Sequence, residues 1–381
     1  MTSFNFNYGP RLRSAPGAAA AIAELLDAER VLFVTDAGVR GLGLCDSALA
    51  GLEAAGRAMT LFDSVEADPS AATVLRAVET GRAAGVGAVV GFGGGSPMDV
   101  AKVAAYLLGS GEELDAIYGV EQAKGRGLPL VLVPTTAGTG SEATPISVIT
   151  VGATEKKGVN SAALYAEWAV LDPTLTYGLP PHVTAATGVD AMVHAIEAYT
   201  SVRLKNPISD ALAKEALGLL SRNIRTAVNR GGDTDARGAM LLGAYLAGVA
   251  FANAPVAGVH ALAYPLGGHF HVPHGLSNAL MLPHVLGHNM SAAMPLYAEL
   301  APIVDPKLAS LGRQGQAQGF VEELSAIAAD CGLPNRLRAV GVAADHLDLL
   351  ATEAMKQQRL LINNPCPIEQ HHARALYEAA L

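Results

Sequence analysis

The first half of the chain alternates short apolar runs with stretches of mixed polarity. VLFVTD at 31–36, MTLFD at 59–63, VGAVVGF at 86–92 and LPLVLVPTT at 128–136 are the right length for strands. Between them Ala18–Leu26, Leu42–Ala55, Ala71–Ala84 and Met98–Leu108 read as helices. That alternation predicts βαβ units and a parallel sheet. A further β-rich piece is expected to cover Ile146–Val151 and Tyr165–Leu171. After TLTYGLPPHVTAATG the alternation stops, and the remainder reads as long helices broken by Gly, Pro and Asn. The pattern therefore predicts an α/β domain over 1–178 followed by an all-helical domain over 179–381, with the boundary near Gly178. A cleft between two such domains is a usual home for a ligand.

Composition agrees with two globular domains. The chain has 381 residues, half of them apolar and only 16% charged, with 41 glycines. A net charge of -9, with no Lys/Arg cluster interleaved with aromatics, gives no footprint for nucleic acid. MTSFNFNYGPRLRSAPG lacks an apolar run after a basic start, so a secretory signal is not expected. The uncharged stretch Gly238–Val259 approaches membrane-span length, but Asn253, Pro255 and many small residues favour a helix buried in the α-domain over a membrane partner. Cys45, Cys331 and Cys366 stand far apart, with no CxxC spacing. They form neither a disulfide framework nor a zinc knuckle, which fits a cytoplasmic protein.

Candidate chemistry begins where VGAVVGF runs into GGGSPMDVAK. Gly93, Gly94 and Gly95 allow a sharp turn and close approach of a ligand; Ser96 fits an N-cap, Pro97 the first helical position and Asp99 the third. A helix N-terminus fed by such a loop suits a pyrophosphate. A purely structural turn is an equal reading of the triple glycine alone. The second motif, PTTAGTGSEATP at 134–145, follows another buried strand and carries hydroxyls at Thr135, Thr136, Thr139, Ser141 and Thr144. Together the two motifs point to a nicotinamide nucleotide. Asp36, at the end of the first strand, is placed to accept from the adenosine ribose hydroxyls and repel a 2′-phosphate, which favours NAD over NADP.

The second half supplies metal-ligand spacing. In TGVDAMVHAIEAY, Asp190 and His194 lie four residues apart and share a helix face. GVHALAYPLGGHFHVPHG adds His260 and His274, with His269 and His271 between them. Imidazoles with a carboxylate suit zinc or iron and leave a position for a substrate oxygen. His182, His284 and His288 carry no assignment, since a single imidazole is by default a surface or core residue.

These segments resemble the signature segments of the iron-containing (group III) alcohol dehydrogenases. The resemblance runs from VTDAGV to LINNPCPI near the C-terminus. It implies a Rossmann-like domain followed by a helical domain, the dehydroquinate synthase-like architecture. It implies a divalent ion, Fe2+ ahead of Zn2+, held by Asp190, His194, His260 and His274. NAD contacts are implied at Asp36, Gly94, Gly95, Ser96, Asp99, Thr135, Thr136, Thr139 and Ser141, and at Lys157 in the EKKG turn. The implied substrate is a small alcohol, aldehyde or hydroxy acid, and the implied assembly a homodimer or larger.

Two positions depart from the family's pattern. Tyr264 stands where many relatives carry a histidine four residues after the third ligand, and Ala166 where a proline is common. An unperturbed phenol has a pKa of about 10 and relays protons poorly at neutral pH. Tyr264 is therefore expected to orient the substrate, with His271 a candidate for the proton route. Three rival readings are a hydroxyacid–oxoacid transhydrogenase, which would release no free NADH, a metal- and NAD-using cyclase resembling dehydroquinate synthase, and a non-catalytic nucleotide-binding scaffold. The cyclase would need a basic pocket, and no Lys/Arg cluster lies near the ligand motifs.

Overall fold

The computed structural model describes residues 3–152 and 155–381. Two compact units emerge, one of Tyr8–Tyr177 and one of Gly178–Leu381 together with residues up to Asn7.

In the first unit the strands are β1 (Arg11–Ser14), β2 (Arg30–Val34), β3 (Ala58–Phe62), β4 (Ala88–Gly93), β5 (Gly119–Val120), β6 (Leu130–Pro134), β7 (Ile146–Val151), β8 (Glu155–Asn160) and β9 (Trp168–Leu171). Six of them form a parallel sheet in the order β1-β9-β6-β4-β2-β3. Successive side chains of a strand point to opposite faces, and β2, β4 and β6 use both. Leu32, Val34, Val89, Leu130 and Leu132 enter one core; Val31, Phe33, Val90, Phe92, Val131 and Val133 enter the other. The helices of this unit are α1 (Ala37–Gly41), α2 (Asp46–Ala54), α3 (Ala71–Ala84) and α4 (Gly95–Ser110). α3 and α4 cover the first core, while α2 and the 3-10 stretch Ala18–Leu25 cover the second.

Several sequence expectations shift. Ala18–Leu26 is a kinked 3-10 segment rather than an α-helix. The stretch Leu42–Ala55 is helical only from Asp46, because Gly43 turns with φ +68° after α1 has ended at Gly41. Tyr165–Leu171 shortens to β9. EKKG is not a turn: it forms β8, antiparallel to β7 and parallel to β5 in a second, three-stranded sheet. Ile149 and Val159 of that sheet pack into the core beside α4.

The second unit is helical among the described residues. It comprises α5 (Pro181–Thr200), α6 (Pro207–Asn229), α7 (Thr234–Asn253), α8 (Gly258–Phe270), α9 (His274–Val304), α10 (Arg313–Asp330), α11 (Leu347–Ala354), α12 (Gln358–Leu361) and α13 (Gln370–Ala380). The apolar stretch Gly238–Val259 is two helices rather than one: α7 stops at Asn253 and α8 begins at Gly258, bent by 107°. Pro255 cannot donate to a helical ladder. The Asn253 amide donates to the Val249 and Asn7 carbonyls. Among the described residues no single helix is long and apolar enough to cross a membrane.

Candidate metal centre and nucleotide loop

Three helices bring four ligand atoms together. α5 places Asp190 and His194 one turn apart, α8 supplies His260, and His274 opens α9; their ligand atoms all lie within 4.8 Å of one another. Asp190, His194 and His260 are buried, while the His274 side chain is 43% exposed. His274 reaches the group because Gly275 lets α9 meet α5. A Cβ on Gly275 would stand 2.3 Å from the Ala186 carbonyl oxygen, so any larger residue would force the helices apart.

Asp190 Oδ1 lies 3.8 Å from His260 Nε2 and 3.6 Å from His274 Nε2. A tetrahedral ion with bonds of about 2.1 Å has ligand–ligand edges of about 3.4 Å, only a few tenths shorter. The lone pairs are also aimed inward. The Asn278 amide donates to Asp190 Oδ1 at 2.6 Å and lies 3.2 Å from both His260 Nε2 and His274 Nε2, so three acceptors converge on one donor. The other end of that amide, Oδ1, is buried with no hydrogen-bond partner. Such a donor set, one carboxylate and three imidazoles, fits a divalent transition ion.

Glu197, one turn beyond His194, fixes the tautomer of His260. Its Oε2 accepts from His260 Nδ1 at 2.7 Å and from the Ala257 N–H, and its Oε1 accepts from the Val259 N–H. With the proton on Nδ1, the Nε2 lone pair faces Asp190 and His274. Burial pulls the basicity of His260 down, but the Glu197 and Asp190 carboxylates reverse this and hold its pKa above the ordinary histidine value. The same contacts satisfy the backbone at the break before α8, where Asn363 donates to the Val256 carbonyl and Asn364 Oδ1 accepts from Gly258 N–H. Sequence reading missed Glu197, Asn278, Asn363 and Asn364. The available signal was an acid within the apolar run AMVHAIEAY, which burial has to pair.

Tyr264 is half-buried with its ring 5.7 Å from that of His274. His271 ends α8 in the left-handed region with φ 54° and is exposed, and His269 Nε2 lies 3.9 Å from Glu353; neither belongs to the ligand group. A second cluster, Glu369, His371 and His372, is chemically weaker. His372 Nδ1 accepts from the Glu369 N–H, which leaves the proton on Nε2 and no lone pair there for an ion.

In the sheet unit, the glycine loop leaves β4 through Gly93 at φ +145°, where a Cβ would meet Pro97 Cγ at 2.9 Å. The helix starts earlier than its sequence suggests. Gly94 is the N-cap and Gly95 the first helical residue, so Ser96 and Asp99 lie inside α4. The reason is the Gly93 turn, which leaves Gly94 already extended at the cap. No side chain caps the N-terminus of this 16-residue helix, and such an end is one at which first-turn N–H groups can take an anion. Asp36 Oδ1 caps α1 by accepting from Val39 N–H at 2.8 Å, and its Oδ2 lies beside Gly93. Thr135 N–H donates to the Gly93 carbonyl, Thr136 Oγ1 faces Gly94, and the Thr139 side chain packs against Gly95. Ser141 and Asp99 are turned toward each other, joined by a 2.6 Å hydrogen bond. Lys157 lies in β8 with its ammonium 5.4 Å from the Tyr118 ring centre.

Sequence profiles of two families match this chain: "Iron-containing alcohol dehydrogenase" over residues 10–173 and "Fe-containing alcohol dehydrogenase family, C-terminal" over residues 184–381. The chain belongs to the iron-containing alcohol dehydrogenase family. Among its relatives, long-chain-alcohol dehydrogenase 1 of Geobacillus thermodenitrificans is 42% identical over 93% of this chain and 90% of its own length. A crystal structure of a 1,3-propanediol oxidoreductase superposes with a TM-score of 0.96 at 34% identity, covering all of both chains. A sulfoacetaldehyde reductase from Bifidobacterium kashiwanohense, solved with NAD+, gives a TM-score of 0.88 at 26% identity over 100% of this chain and 99% of its own. As an iron-containing alcohol dehydrogenase, this protein is an oxidoreductase of alcohols and aldehydes that uses NAD and a metal ion.

In an enzyme of this family, Glu197 is expected to set metal affinity through His260. Glu197→Gln keeps the shape but removes the charge, and its NH2 must face either the Val259 N–H or the Ala257 N–H and His260 Nδ1–H, which loosens the hold on the His260 tautomer. Metal affinity, measured by chelator competition, should fall about 10–100-fold. An affinity equal to the parent's would show that Glu197 serves the α8 backbone alone.

Proposed function

We propose that this chain oxidises small primary alcohols or diols with NAD, and reduces the corresponding aldehydes in reverse, at an ion held by Asp190, His194, His260 and His274. The observation that carries the reading is the convergence of those four ligand atoms with the His260 proton already committed to Glu197. Fe2+ is the ion we favour and Zn2+ the alternative. When bound, the ion supplies a positive charge that lowers the pKa of an alcohol, and the nicotinamide accepts the hydride.

The chain's own residues supply position and charge. Asp190 offsets part of the ion's charge in a buried setting, where Coulomb energies are larger than in water. Exposed His274 lies on the side by which an alcohol enters, and Tyr264 beside it orients the substrate through its ring and hydroxyl. Gly94, Gly95 and Ser96 take the pyrophosphate at the N-terminus of α4, Asp36 takes the adenosine ribose, and Thr135, Thr136 and Thr139 line the remaining length. Asp99 and Ser141 act through the bond they make to each other, and Lys157 stands further out on β8. Residues 1–178 would then bind NAD and 179–381 the metal and substrate, a division supported by the two compact units.

We place the enzyme in the cytoplasm as a homodimer or larger homo-oligomer, with neither nucleic acid nor membrane as partner. The charge of -9 speaks against nucleic acid and three free cysteines, two of them buried, suit the cytoplasm, while the homo-oligomer rests on the family resemblance. A screen of short alcohols, diols and hydroxy acids for free NADH tests the reaction. Free NADH should accumulate with a short alcohol or diol. Hydride exchange between a hydroxy acid and an oxo acid without free NADH would replace this reading with the transhydrogenase.

A further inference from the structure

Lys102 lies in the third turn of α4 and is fully buried. A buried ammonium is costly unless each N–H finds an acceptor. Here the three donors are matched by Ser141 Oγ at 2.7 Å and Thr144 Oγ1 at 3.3 Å on the segment joining β6 to β7, and by the Ile146 carbonyl at 2.6 Å at the start of β7. Asp99, one turn earlier on the same helix, continues the grip. Its Oδ1 accepts from Ser141 Oγ, its Oδ2 from the Val148 N–H at 2.9 Å, and its carbonyl from Ser147 Oγ at 3.0 Å. Ser141 is thus clamped between Lys102 and Asp99. The loop it anchors contains Gly138 and Gly140, the latter at φ +59°, and a glycine-rich segment of this kind is costly to order.

We propose that Lys102 is a positioning residue for the nucleotide: by fixing the Thr139–Thr144 loop against the first turns of α4, it holds the loop hydroxyls and the helix N–H groups at the spacing a dinucleotide requires. This rests on the NAD-site reading above. Burial pushes the Lys102 ammonium below the usual lysine range, against the pull of the Asp99 and Glu142 carboxylates, and it pushes the Glu142 carboxyl up to about 7. Holding Lys102 buried therefore carries a cost, and a preorganised loop offsets it in ligand affinity.

NADH fluorescence titration and steady-state kinetics on the metal-loaded enzyme test the proposal. Lys102→Met should raise the NADH Kd and the NAD KM about tenfold, the equivalent of ~1.4 kcal/mol. The KM for alcohol, and kcat at saturating NAD, should stay within about twofold. Thr144→Val removes one acceptor without changing shape and should move NADH Kd the same way by less; it carries the test if Lys102→Met does not fold. An unchanged Kd in a folded Lys102→Met enzyme, or a kcat loss as large as the Kd change, overturns the proposal. Gly94→Val separates that failure from failure of the site itself. A Cβ there meets nothing closer than Thr136 Oγ1 at 3.9 Å, so a side chain has room to start, and the thermal midpoint of the variant checks that the fold is kept while the loop is obstructed. If Gly94→Val leaves NADH binding intact, the nucleotide lies elsewhere and both readings fall. If Gly94→Val weakens binding and neither Lys102→Met nor Thr144→Val does, only the Lys102 proposal falls.

Discussion

His274→Ala is expected to remove the bound metal and to lower NAD-linked alcohol oxidation on the order of 10³-fold or more. Loss of a Lewis acid worth several kcal/mol at the transition state gives that magnitude. Of the four proposed ligands His274 gives the cleanest test. Its side chain is 43% exposed, so truncation leaves no large core cavity, and the helix it opens remains seated on α5 through Gly275. The buried ligands are less clean: His260→Ala would strand the Glu197 carboxylate without the charge-assisted bond at 2.7 Å, and destabilise the chain for reasons unrelated to metal. Metal content, thermal midpoint and NADH production measured together on His274→Ala check the account. Parent-level metal and rate in a folded variant would remove His274 from the ligand set.

Cofactor choice should carry the second largest effect. A carboxylate that meets a 2′-phosphate costs Coulomb repulsion and lost ribose hydrogen bonds, on the order of 2–4 kcal/mol when partly buried. The parent should therefore prefer NAD to NADP by roughly 30-fold to 10³-fold in kcat/KM, and Asp36→Gly should narrow the ratio. Glycine is the right replacement because Asp36 also caps α1 through Val39 N–H. An N-cap changed to Gly loses only a few tenths of a kcal/mol, less than one changed to Ala. Equal efficiency with both nucleotides in the parent would contradict the role given to Asp36.

How much of this was legible in the sequence depends on whether a residue's role is local. The strands of the central sheet declare themselves because VLFV, AVVGF and LVLV are apolar at both parities, the mark of a strand covered on two faces. RLRS and EKKG are strands only because β9 and β7 offer them edges to pair with, and neither has an apolar run to announce it. The four residues that the fold gathers, Asp190, His194, His260 and His274, were legible as types at a spacing. Asp190 and His194 need only one helix, and family resemblance joined them to His260 and His274. The groups that orient them were not. Glu197 reads as an ordinary polar helix position until the backbone break at Ala254–Ala257 folds back on it. Lys102 likewise looks like a helix lysine until the 141–148 segment supplies its acceptors, and the start of α4 moved because one dihedral, at Gly93, is invisible in the letters GGGSP.

The central claim, that hydride transfer to NAD depends on an ion at the Asp190/His194/His260/His274 group, is tested most directly by reconstitution. Chelator-stripped enzyme is titrated anaerobically with Fe2+, and in parallel with Zn2+, while bound metal and NADH formed from the best alcohol are followed in the same samples. The account predicts negligible NADH from the stripped chain and a rate that rises in proportion to bound metal, saturating at a single ion per chain, with no such rise in His274→Ala. Full NADH production by stripped enzyme with chelator present would contradict it.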